Sequence, residues 1–439
     1  MNPIAQDLNQ IIEKGNPHLK EMLSEIGRNL FFPKGILSQS AEAREKAHKL
    51  NATIGIATER GGTMHFSSVM DSICSIRAKE SLTYASSFGI PSLRKVWQDS
   101  LFKKNHSLEG KTISLPVVTC GITHAISMVA DIWLDPDDAV ILPDKMWGNY
   151  NMILNVKKGA KISHYDLFSQ NLGFNLEAFE EKIRTEAKKH DKLFVLLNFP
   201  NNPTGYSVTV EEGNRIIEIL AGIADTGKNI IVVTDDAYFG LFYEDRVLKE
   251  SLFASLCNRH PRILAVKLDG ATKENFVWGL RVGFITYGCK IEGDSMAVYD
   301  ALERKTAGSI RGSISNASHL GQTIVLRSMQ SENYIKEKEE KFGVLKNRAG
   351  RIKEVLSDSR YKDAWDVYPF NSGYFMCIRL KSVDAETLRL HLLEKYGVGL
   401  ISIGERDLRI AFSCLEESDI LELFNIILQG VEDLKGLNA

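Results

Sequence analysis

The sequence predicts an α/β protein whose larger domain is a mainly parallel β-sheet covered by helices on both faces. In the middle of the chain, short apolar runs rich in Val, Ile and Leu alternate with longer segments of helical spacing. Such runs are typical of strands buried on both faces. The last third carries two extended stretches separated by an amphipathic helix. That arrangement indicates a second, smaller α+β domain.

The elements follow from this pattern in order. Residues 1–50 look helical and charged, and residues 333–355 form a long Lys/Glu-rich helix. The predicted strands of the larger domain are 139–143, 192–200, 229–236, 262–270 and 281–288, with helices at 175–189 and 210–224. The extended stretches of the smaller domain are 372–380 and 407–415. We expect an N-terminal arm and part of the small domain in 1–75, the large domain in 76–330 and the small domain in 331–439.

Composition narrows the function. The 439 residues hold 54 Lys and Arg against 56 Asp and Glu, so no bulk charge favours nucleic acid or an anionic membrane. The six cysteines form no CxxC pair, which argues against a zinc site or a disulfide framework. The first ten residues lack the layout of a secretory signal, and the apolar runs are too short to cross a bilayer. We therefore expect a cytoplasmic protein with no nucleic-acid partner, membrane anchor or metal.

Ligands of open α/β sheets bind beyond the carboxyl ends of the strands, so the residues that follow each strand matter most. NFPNNPTG, at 198–205, is either a plain connecting turn or a turn that aims the amide of Asn202 at a ligand. Asp235 and Asp236 follow the next strand, with Tyr238 close by. A helix N-cap accounts for one aspartate, and a carboxylate held for a cationic ligand atom accounts for the other.

Further along the chain, Lys273 follows a strand and Arg281 lies between two glycines. One interpretation is that both residues are surface charges on a loop. The other is that the lysine is a Schiff-base nucleophile whose pKa is lowered by burial or by a neighbouring cation. A turn at Gly121 opens a helix and so offers an anion site. Trp147 is either a stacking platform or part of the core.

Taken together and in this chain order, these motifs resemble the fold-type I, class I pyridoxal-phosphate aminotransferases, and most of all their aspartate/aromatic branch. The resemblance runs from about residue 52 to 413. Its most specific parts are NNPTG, the D-[DE]-x-Y motif at 235–238 and the K-x7-R-x-G motif at 273–283. It implies a large domain with a seven-stranded sheet and pyridoxal 5′-phosphate as the cofactor.

The resemblance implies a role for each residue that faces the cofactor. Lys273 would form the Schiff base, and Asp235 would pair with the pyridine nitrogen. Asn202 and Tyr238 would bond the ring oxygen, and Trp147 would stack on the ring. Lys273, Asp235 and Tyr238 are the implied catalytic residues.

The same resemblance implies which residues bind the cofactor phosphate and which residue reaches it from a second subunit. Arg281 and the backbone around Gly121, Ile122 and Thr123 would hold the phosphate. Tyr84, in TYASSFGIPSLRKV, resembles the tyrosine that reaches the phosphate of the neighbouring subunit. A homodimer with active sites at the subunit interface is therefore implied.

The substrate residues are implied in the same way. Arg409, in LRIAFS, would clamp the α-carboxylate, with Gly55 and Asn202 beside it. Arg311, in IRGSISN, matches the arginine that the second subunit lends to a side-chain carboxylate. A structural ion pair at the interface is the alternative for Arg311.

The chain departs from the family pattern at several positions. Gly270 stands where a phosphate-binding Ser or Thr is usual, and Thr272 is the available substitute. Asp236 replaces the commoner Glu, Ile314 replaces an aromatic residue, and Cys120 and Ile122 replace hydroxyl side chains. The phosphate cup is therefore predicted to be poor in side-chain donors.

Three functions remain open at this point. The first is an aminotransferase that uses an amino acid and a 2-oxo acid, with an acidic or aromatic substrate. The second is a β-lyase, decarboxylase or racemase on the same cofactor. The third, a non-enzymatic regulator that binds the cofactor, requires a DNA-binding segment ahead of the domain, for which little chain and no basic cluster are present.

Overall fold

The N-terminal part of the chain is helical and then irregular. The computed structural model describes residues 1–31 and 35–437. Helices α1 (Pro3–Gly15), α2 (Pro17–Met22), α3 (Glu25–Asn29) and α4 (Ile36–Lys46) precede three two-residue strands, β1 (Leu50–Asn51), β2 (Thr58–Glu59) and β3 (Gly62–Thr63), and helix α5 (Ser67–Ile73). The predicted helical character of the first 50 residues is confirmed for the residues described.

The centre of the chain alternates helices and strands. Its elements are α6 (Pro91–Lys104), β4 (Val117–Thr119), α7 (Gly121–Trp133), β5 (Ala139–Pro143), a π-helix (Asn151–Lys157), β6 (Lys161–Tyr165), α8 (Leu176–Ala187), β7 (Lys192–Asn198), α9 (Val210–Asp225), β8 (Asn229–Asp235), α10 (Leu252–Leu256), β9 (Ile263–Gly270), α11 (Ala271–Glu274) and β10 (Gly283–Cys289). Strands β7, β8 and β9 are buried over nearly their whole length, which is why they read as unbroken apolar runs.

Seven strands form one sheet in the order β4-β10-β9-β8-β7-β5-β6. Strand β10 is antiparallel to both of its neighbours, and the remaining pairs are parallel. The predicted mainly parallel sheet is therefore confirmed. Because β7, β8 and β9 run in the same direction, their carboxyl ends lie at one edge of the sheet.

The last third of the chain begins with three helices and then forms a second, smaller sheet. Helices α12 (Ser295–Ser313), α13 (His319–Gln330) and α14 (Tyr334–Leu356) lead to β11 (Trp365–Val367), β12 (Phe375–Leu380), α15 (Ala385–Tyr396), β13 (Val398–Gly399), β14 (Ile401–Ile403), β15 (Asp407–Ala411) and α16 (Ile420–Leu437). Strands β11, β12, β15 and β14 make a four-stranded antiparallel sheet. The short strand β1 pairs in parallel with β13, so the N-terminal segment contacts this part of the chain.

Two hydrophobic cores correspond to the two sheets, and α14 contributes to both. Leu345 packs in the core of the seven-stranded sheet, whereas Ile352 packs in that of the four-stranded sheet. The predicted domain limits after residues 75 and 330 stay predictions. Of the described helices, none combines the length and the apolar character needed to cross a membrane.

The turn after β7 joins the two sheets. Gly205 has φ +74°, and a Cβ atom there would lie 1.9 Å from the carbonyl oxygen of Phe375. The carbonyl oxygen of Gly205 accepts hydrogen bonds from the backbone N–H groups of Asn371 and Ser372, each at 3.0 Å. Only glycine fits this close approach of two backbones.

Candidate active site

A cavity of about 250 Å³ opens at the carboxyl ends of the parallel strands. The sheet edge brings together residues that lie far apart in the chain, as the parallel topology predicts. The predicted site residues that line the cavity are Gly55, Ile122, Thr123, Trp147, Asn202, Asp235, Tyr238, Lys273, Arg281 and Arg409. The cavity therefore joins both sheets, because Arg409 stands on β15 and most of the others follow strands of the large sheet.

Lys273 is the only lysine among the described residues that line this cavity, and its environment disfavours the charged form. Burial lowers the pKa of Lys273 to about 8, with Asp235 opposing this effect and Arg281 adding to it. The amine lies 4.9 Å from the centre of the Tyr238 ring. The hydroxyl of Tyr374 donates a hydrogen bond of 3.2 Å to the backbone carbonyl of Lys273. The lysine is thus held as an amine that can act as a nucleophile or base near neutral pH.

Asp235 ends β8 and is only 3% exposed. The hydroxyl of Tyr150 donates a hydrogen bond of 2.5 Å to one carboxylate oxygen, and the N–H of Ala237 donates one of 3.1 Å to the other. Burial raises the pKa of Asp235, while the Tyr150 hydrogen bond and the charge of Lys273 lower it. A carboxylate removed from water in this way is stabilised by a cationic ligand atom.

An anion corner lies at the start of α7, where Gly121 and Arg281 meet. Gly121 has φ +76°, and a Cβ atom there would lie 2.4 Å from a terminal nitrogen of Arg281. Arg281 is itself in the left-handed region at φ 55° and donates a hydrogen bond of 3.3 Å to the carbonyl of Trp278. The helix N-terminus and the guanidinium together favour a bound phosphate.

Arg409 is 2% exposed and forms the opposite wall. Its Nη1 donates to Asn202 Oδ1 at 3.2 Å and its Nη2 donates to the carbonyl of Thr53 at 2.8 Å. Its Nε has no hydrogen-bond partner among the described residues, and the guanidinium carbon lies 4.2 Å from the centre of the Phe375 ring. Burial lowers the pKa of Arg409. A buried donor without an acceptor suits a ligand carboxylate.

Three predicted residues do not line the cavity. Gly121 lies behind Arg281, as described above. Tyr84 is 92% exposed, and Arg311 is exposed near the end of α12. The resemblance assigns both exposed residues to the active site of a neighbouring subunit, so their position within one chain leaves that prediction untested.

Four residues that line the cavity escaped the sequence analysis: Tyr150, Asn198, Ala237 and Phe375. The first two make polar contacts with Asp235. Tyr150 follows Trp147 by three residues, and its contact with Asp235 depends on the strand order of the sheet, in which only β7 lies between β5 and β8. Asn198 ends β7 and donates a hydrogen bond of 2.9 Å from its side chain to the backbone carbonyl of Asp235. Its Oδ1 accepts one of 2.9 Å from the N–H of Asn202. The strand-end position of Asn198 was the available signal.

The residues in this cavity fit pyridoxal 5′-phosphate. A buried lysine with a lowered pKa suits the aldehyde, a buried carboxylate suits the ring nitrogen, and the corner at Gly121 and Arg281 suits the phosphate. Gly270 has no side chain to offer, so Thr272 and Thr123 supply the aliphatic hydroxyl groups among the described residues that line the cavity.

Comparisons with known proteins agree. A family model described as "Aminotransferase class I and II" matches residues 48–427. The chain is 25% identical to the aspartate aminotransferase of Bacillus sp. (strain YM-2) over 266 residues, which is 61% of this chain and 64% of that one, just under two thirds. It is 23% identical to the probable N-acetyl-LL-diaminopimelate aminotransferase of Bacillus subtilis (strain 168) over 374 residues, 81% of this chain and 84% of that one.

Solved structures show the same fold. The crystal structure of an aminotransferase from Anaerococcus prevotii DSM 20548 matches with a TM-score of 0.80 at 25% identity, covering 91% of this chain and 96% of that one. The Pyrococcus horikoshii kynurenine aminotransferase, with a TM-score of 0.77 at 18% identity, covers 94% of this chain and 98% of that one and supports the fold alone. The chain therefore belongs to the class I and II aminotransferases, and the family and its cofactor, pyridoxal 5′-phosphate, are as the sequence predicts.

Proposed function

We propose that this protein moves an amino group between an L-amino acid and a 2-oxo acid, with an acidic or aromatic amino acid as substrate. The observation that carries the proposal is the meeting of Lys273, Asp235 and Arg409 in one cavity. These residues supply a base, a partner for a cationic ring and a site for a carboxylate. The names of the Bacillus relatives, aspartate and N-acetyl-LL-diaminopimelate aminotransferase, support substrates that carry a second polar group.

The cofactor is held by residues from several strands. Arg281, Thr123, Thr272 and the backbone at Gly121 would bind its phosphate, and Asp235 would pair with its ring nitrogen. When bound, pyridoxal phosphate supplies an aldehyde for the amino group and a cationic ring that accepts the electron pair left on Cα. Asp235 would keep the ring nitrogen protonated, because a buried carboxylate favours a neighbouring positive charge.

Lys273 carries the proton. With its pKa lowered to about 8, the ε-amine is unprotonated in a minor fraction of molecules near neutral pH, which is still a far larger fraction than for an ordinary lysine. The amine can therefore take the proton from Cα of the substrate and return it, which is general acid–base catalysis. Tyr374 fixes the backbone at Lys273, so the reach of the amine is set by the side chain alone.

Arg409 orients the substrate. Its guanidinium is planar and buried, and Asn202 and Thr53 hold two of its nitrogens. A planar carboxylate matches this geometry, whereas a lysine could not form the paired hydrogen bonds. Substrate Cα is then placed between Arg409 and Lys273.

We also propose a cytoplasmic homodimer. The exposed Tyr84 lies in a segment that is bonded to α13, because Thr83 contacts His319 at 2.9–3.1 Å, and α13 packs against α5. Exposed apolar side chains on these elements and at the end of α12 are those of Met70, Ile73, Leu82, Ile314 and Leu320. Contiguous exposed apolar surface favours a protein–protein interface. Arg311 would then reach a side-chain carboxylate of a substrate in the partner's site.

A half-reaction screen tests the proposed reaction. The purified holoenzyme is mixed with each amino acid in turn, and conversion to the pyridoxamine form is followed by absorbance. We expect conversion with acidic or aromatic amino acids and reversal by a 2-oxo acid. Pyruvate and ammonia formed without a 2-oxo acid would indicate a lyase instead. Borohydride reduction followed by peptide mapping should place the cofactor on Lys273, and a label elsewhere would refute the assignment.

Subunit exchange tests the shared site. Lys273→Ala and Arg311→Ala proteins are each assayed with a dicarboxylic amino acid and then after mixing under exchange conditions. If each site combines Lys273 of one chain with Arg311 of the other, the hybrid dimer contains one intact site and activity returns. Activity no greater than the sum of the two separate proteins would contradict the shared site.

A further inference from the structure

A buried ionic cluster lies directly behind the cofactor-facing residues. Lys267, on β9, is 0% exposed and forms ion pairs with Asp236 and with Asp269, the latter at 2.9 Å. Both carboxylates are nearly inaccessible to solvent. The amine of Lys267 also lies 4.5 Å from the centre of the Phe239 ring. We call Asp236, Lys267 and Asp269 the Lys267 cluster.

The cluster occupies the opposite face of the sheet from the cavity. Strands β8 and β9 are parallel neighbours in which Thr234 lies beside Lys267 and Asp235 beside Leu268. Successive side chains of a strand point to opposite faces. Asp235 faces the cavity, so Thr234 faces away from it, on the same side as Lys267. Asp236 lies on this side too, because it accepts a hydrogen bond from Thr234 and pairs with Lys267.

The cluster also adjoins both cofactor-facing groups along the chain. Asp236 directly follows Asp235, and Asp269 precedes Lys273 by four residues, at the end of β9. One lysine therefore ties together the ends of the two strands from which the carboxylate and the amine of the active site emerge. No other ion pair among the described residues links the ends of these two strands.

The carboxylates of the cluster have further donors. Ser251 Oγ donates to Asp236 at 2.6 Å, and Thr234 Oγ1 donates to it at 3.2 Å. Trp97 Nε1 donates to Asp269 at 3.4 Å. These bonds satisfy the cluster and hold it in a single arrangement, so it is a fixed support and not a binding site for a ligand.

Stability alone does not account for three buried charges. Removing ions from water is costly, and apolar replacements of buried ion pairs are often as stable or more stable. We propose that Lys267 is a positioning residue that fixes Asp235 and Lys273 relative to each other from behind the sheet. The inference rests on the function proposed for those two residues.

The test compares two buried ion pairs of the same domain. Lys267→Met removes the cation of the cluster. Arg94→Met is the matched control, because Arg94 forms a buried ion pair with Glu303 at 2.5 Å. Neither Arg94 nor Glu303 lines the cavity. In the holoenzymes, below their melting temperatures, we would measure visible circular dichroism of the cofactor, its dissociation constant, and kcat and KM for the amino acid.

We expect Lys267→Met to lower kcat by about 10- to 100-fold, since small misplacements of reacting groups have effects of this size. The cofactor's circular dichroism should change and its dissociation constant should rise, whereas KM should change little because Arg409 stands on the other sheet. Arg94→Met should leave all of these near wild type. Equal effects of the two substitutions, or an unchanged dichroism and kcat in Lys267→Met, would overturn the proposal.

A second variant covers the case in which Lys267→Met does not fold. The triple variant Asp236→Asn, Lys267→Met, Asp269→Asn leaves no unpaired buried charge, and we expect it to fold with the same losses. Wild-type kcat and dichroism in it would overturn the proposal. Borohydride mapping of the wild type distinguishes failure of the proposed function from failure of the Lys267 proposal. A label away from Lys273 refutes the proposed function whatever the Lys267 variants do.

Discussion

Replacing Tyr150 by Phe should weaken the active site through Asp235 alone. The change removes the hydroxyl that donates a hydrogen bond of 2.5 Å to the buried carboxylate and leaves the ring, which packs edge-on to Trp147 with centroids 5.5 Å apart. A hydrogen bond to a charged group contributes about 1.5–3 kcal/mol. At about 1.4 kcal/mol per tenfold change, kcat/KM should fall by about 10- to 100-fold.

The pH dependence gives the sign of the effect. The Tyr150 hydrogen bond lowers the pKa of Asp235, against the effect of burial, so its removal raises that pKa. Asp235 then takes up a proton at a higher pH and can no longer pair with the protonated ring. The acid limb of the kcat/KM profile should move to higher pH, which a series of half-reaction rates from pH 5 to 9 would measure.

The control is Tyr361→Phe. Tyr361 packs in the core of the four-stranded sheet, and its hydroxyl donates a hydrogen bond of 2.9 Å to Asn425. It should leave the pH profile unchanged. If Tyr150→Phe kept the wild-type acid limb, or if both variants moved it equally, Asp235 would not depend on this phenol and the electrostatic reasoning would fail.

Further predictions concern other parts of the site. Arg409→Lys should raise the KM for amino acids about 10- to 100-fold in the half-reaction, because the paired hydrogen bonds are lost; an unchanged KM would refute the carboxylate assignment. In the apo protein, acylation of Lys273 followed by mass spectrometry should rise near pH 8, well below the 10.5 of an ordinary lysine, and Asp235→Asn should move the midpoint lower because the carboxylate charge raises this pKa. Gly205→Ala should lower the free energy of unfolding in denaturant by at least ~2 kcal/mol, whereas Gly222→Ala, which meets no atom within 4 Å in helix α9, should be neutral or stabilising.

The central strands could be predicted from the sequence because they are buried on both faces. Residues 139–143 match β5 to the residue, and 192–200 and 229–236 include β7 and β8. The edge strand β6 was missed because Lys161 and His164 are exposed, so its residues lack an unbroken apolar run. A strand with one neighbour carries a weaker pattern than a strand with two.

The residues of the candidate site also differed in whether the sequence alone could identify them. Residues in local motifs, such as Lys273 and Asp235, could be singled out because a strand end and a reactive side chain coincide in sequence. Tyr150 could not, since its role depends on a contact with a strand 85 positions away. Lys267 was hidden for another reason: its partner Asp269 lies two residues further along the same strand, but only the pairing of β8 with β9 brings Asp236 to it as well.

The junction at Gly205 constrains how the two halves of the molecule can move. The turn that carries Asn202 is bonded through Gly205 to residues just ahead of β12, and β12 pairs with β15, which carries Arg409. Arg409 in turn donates to Asn202. Any movement of the four-stranded sheet that broke these bonds would separate Arg409, which is proposed to bind the substrate carboxylate, from Asn202, which is proposed to contact the cofactor ring. Motion that admits substrate must therefore bend the chain elsewhere, with Arg409 and the turn at Asn202 and Gly205 moving together.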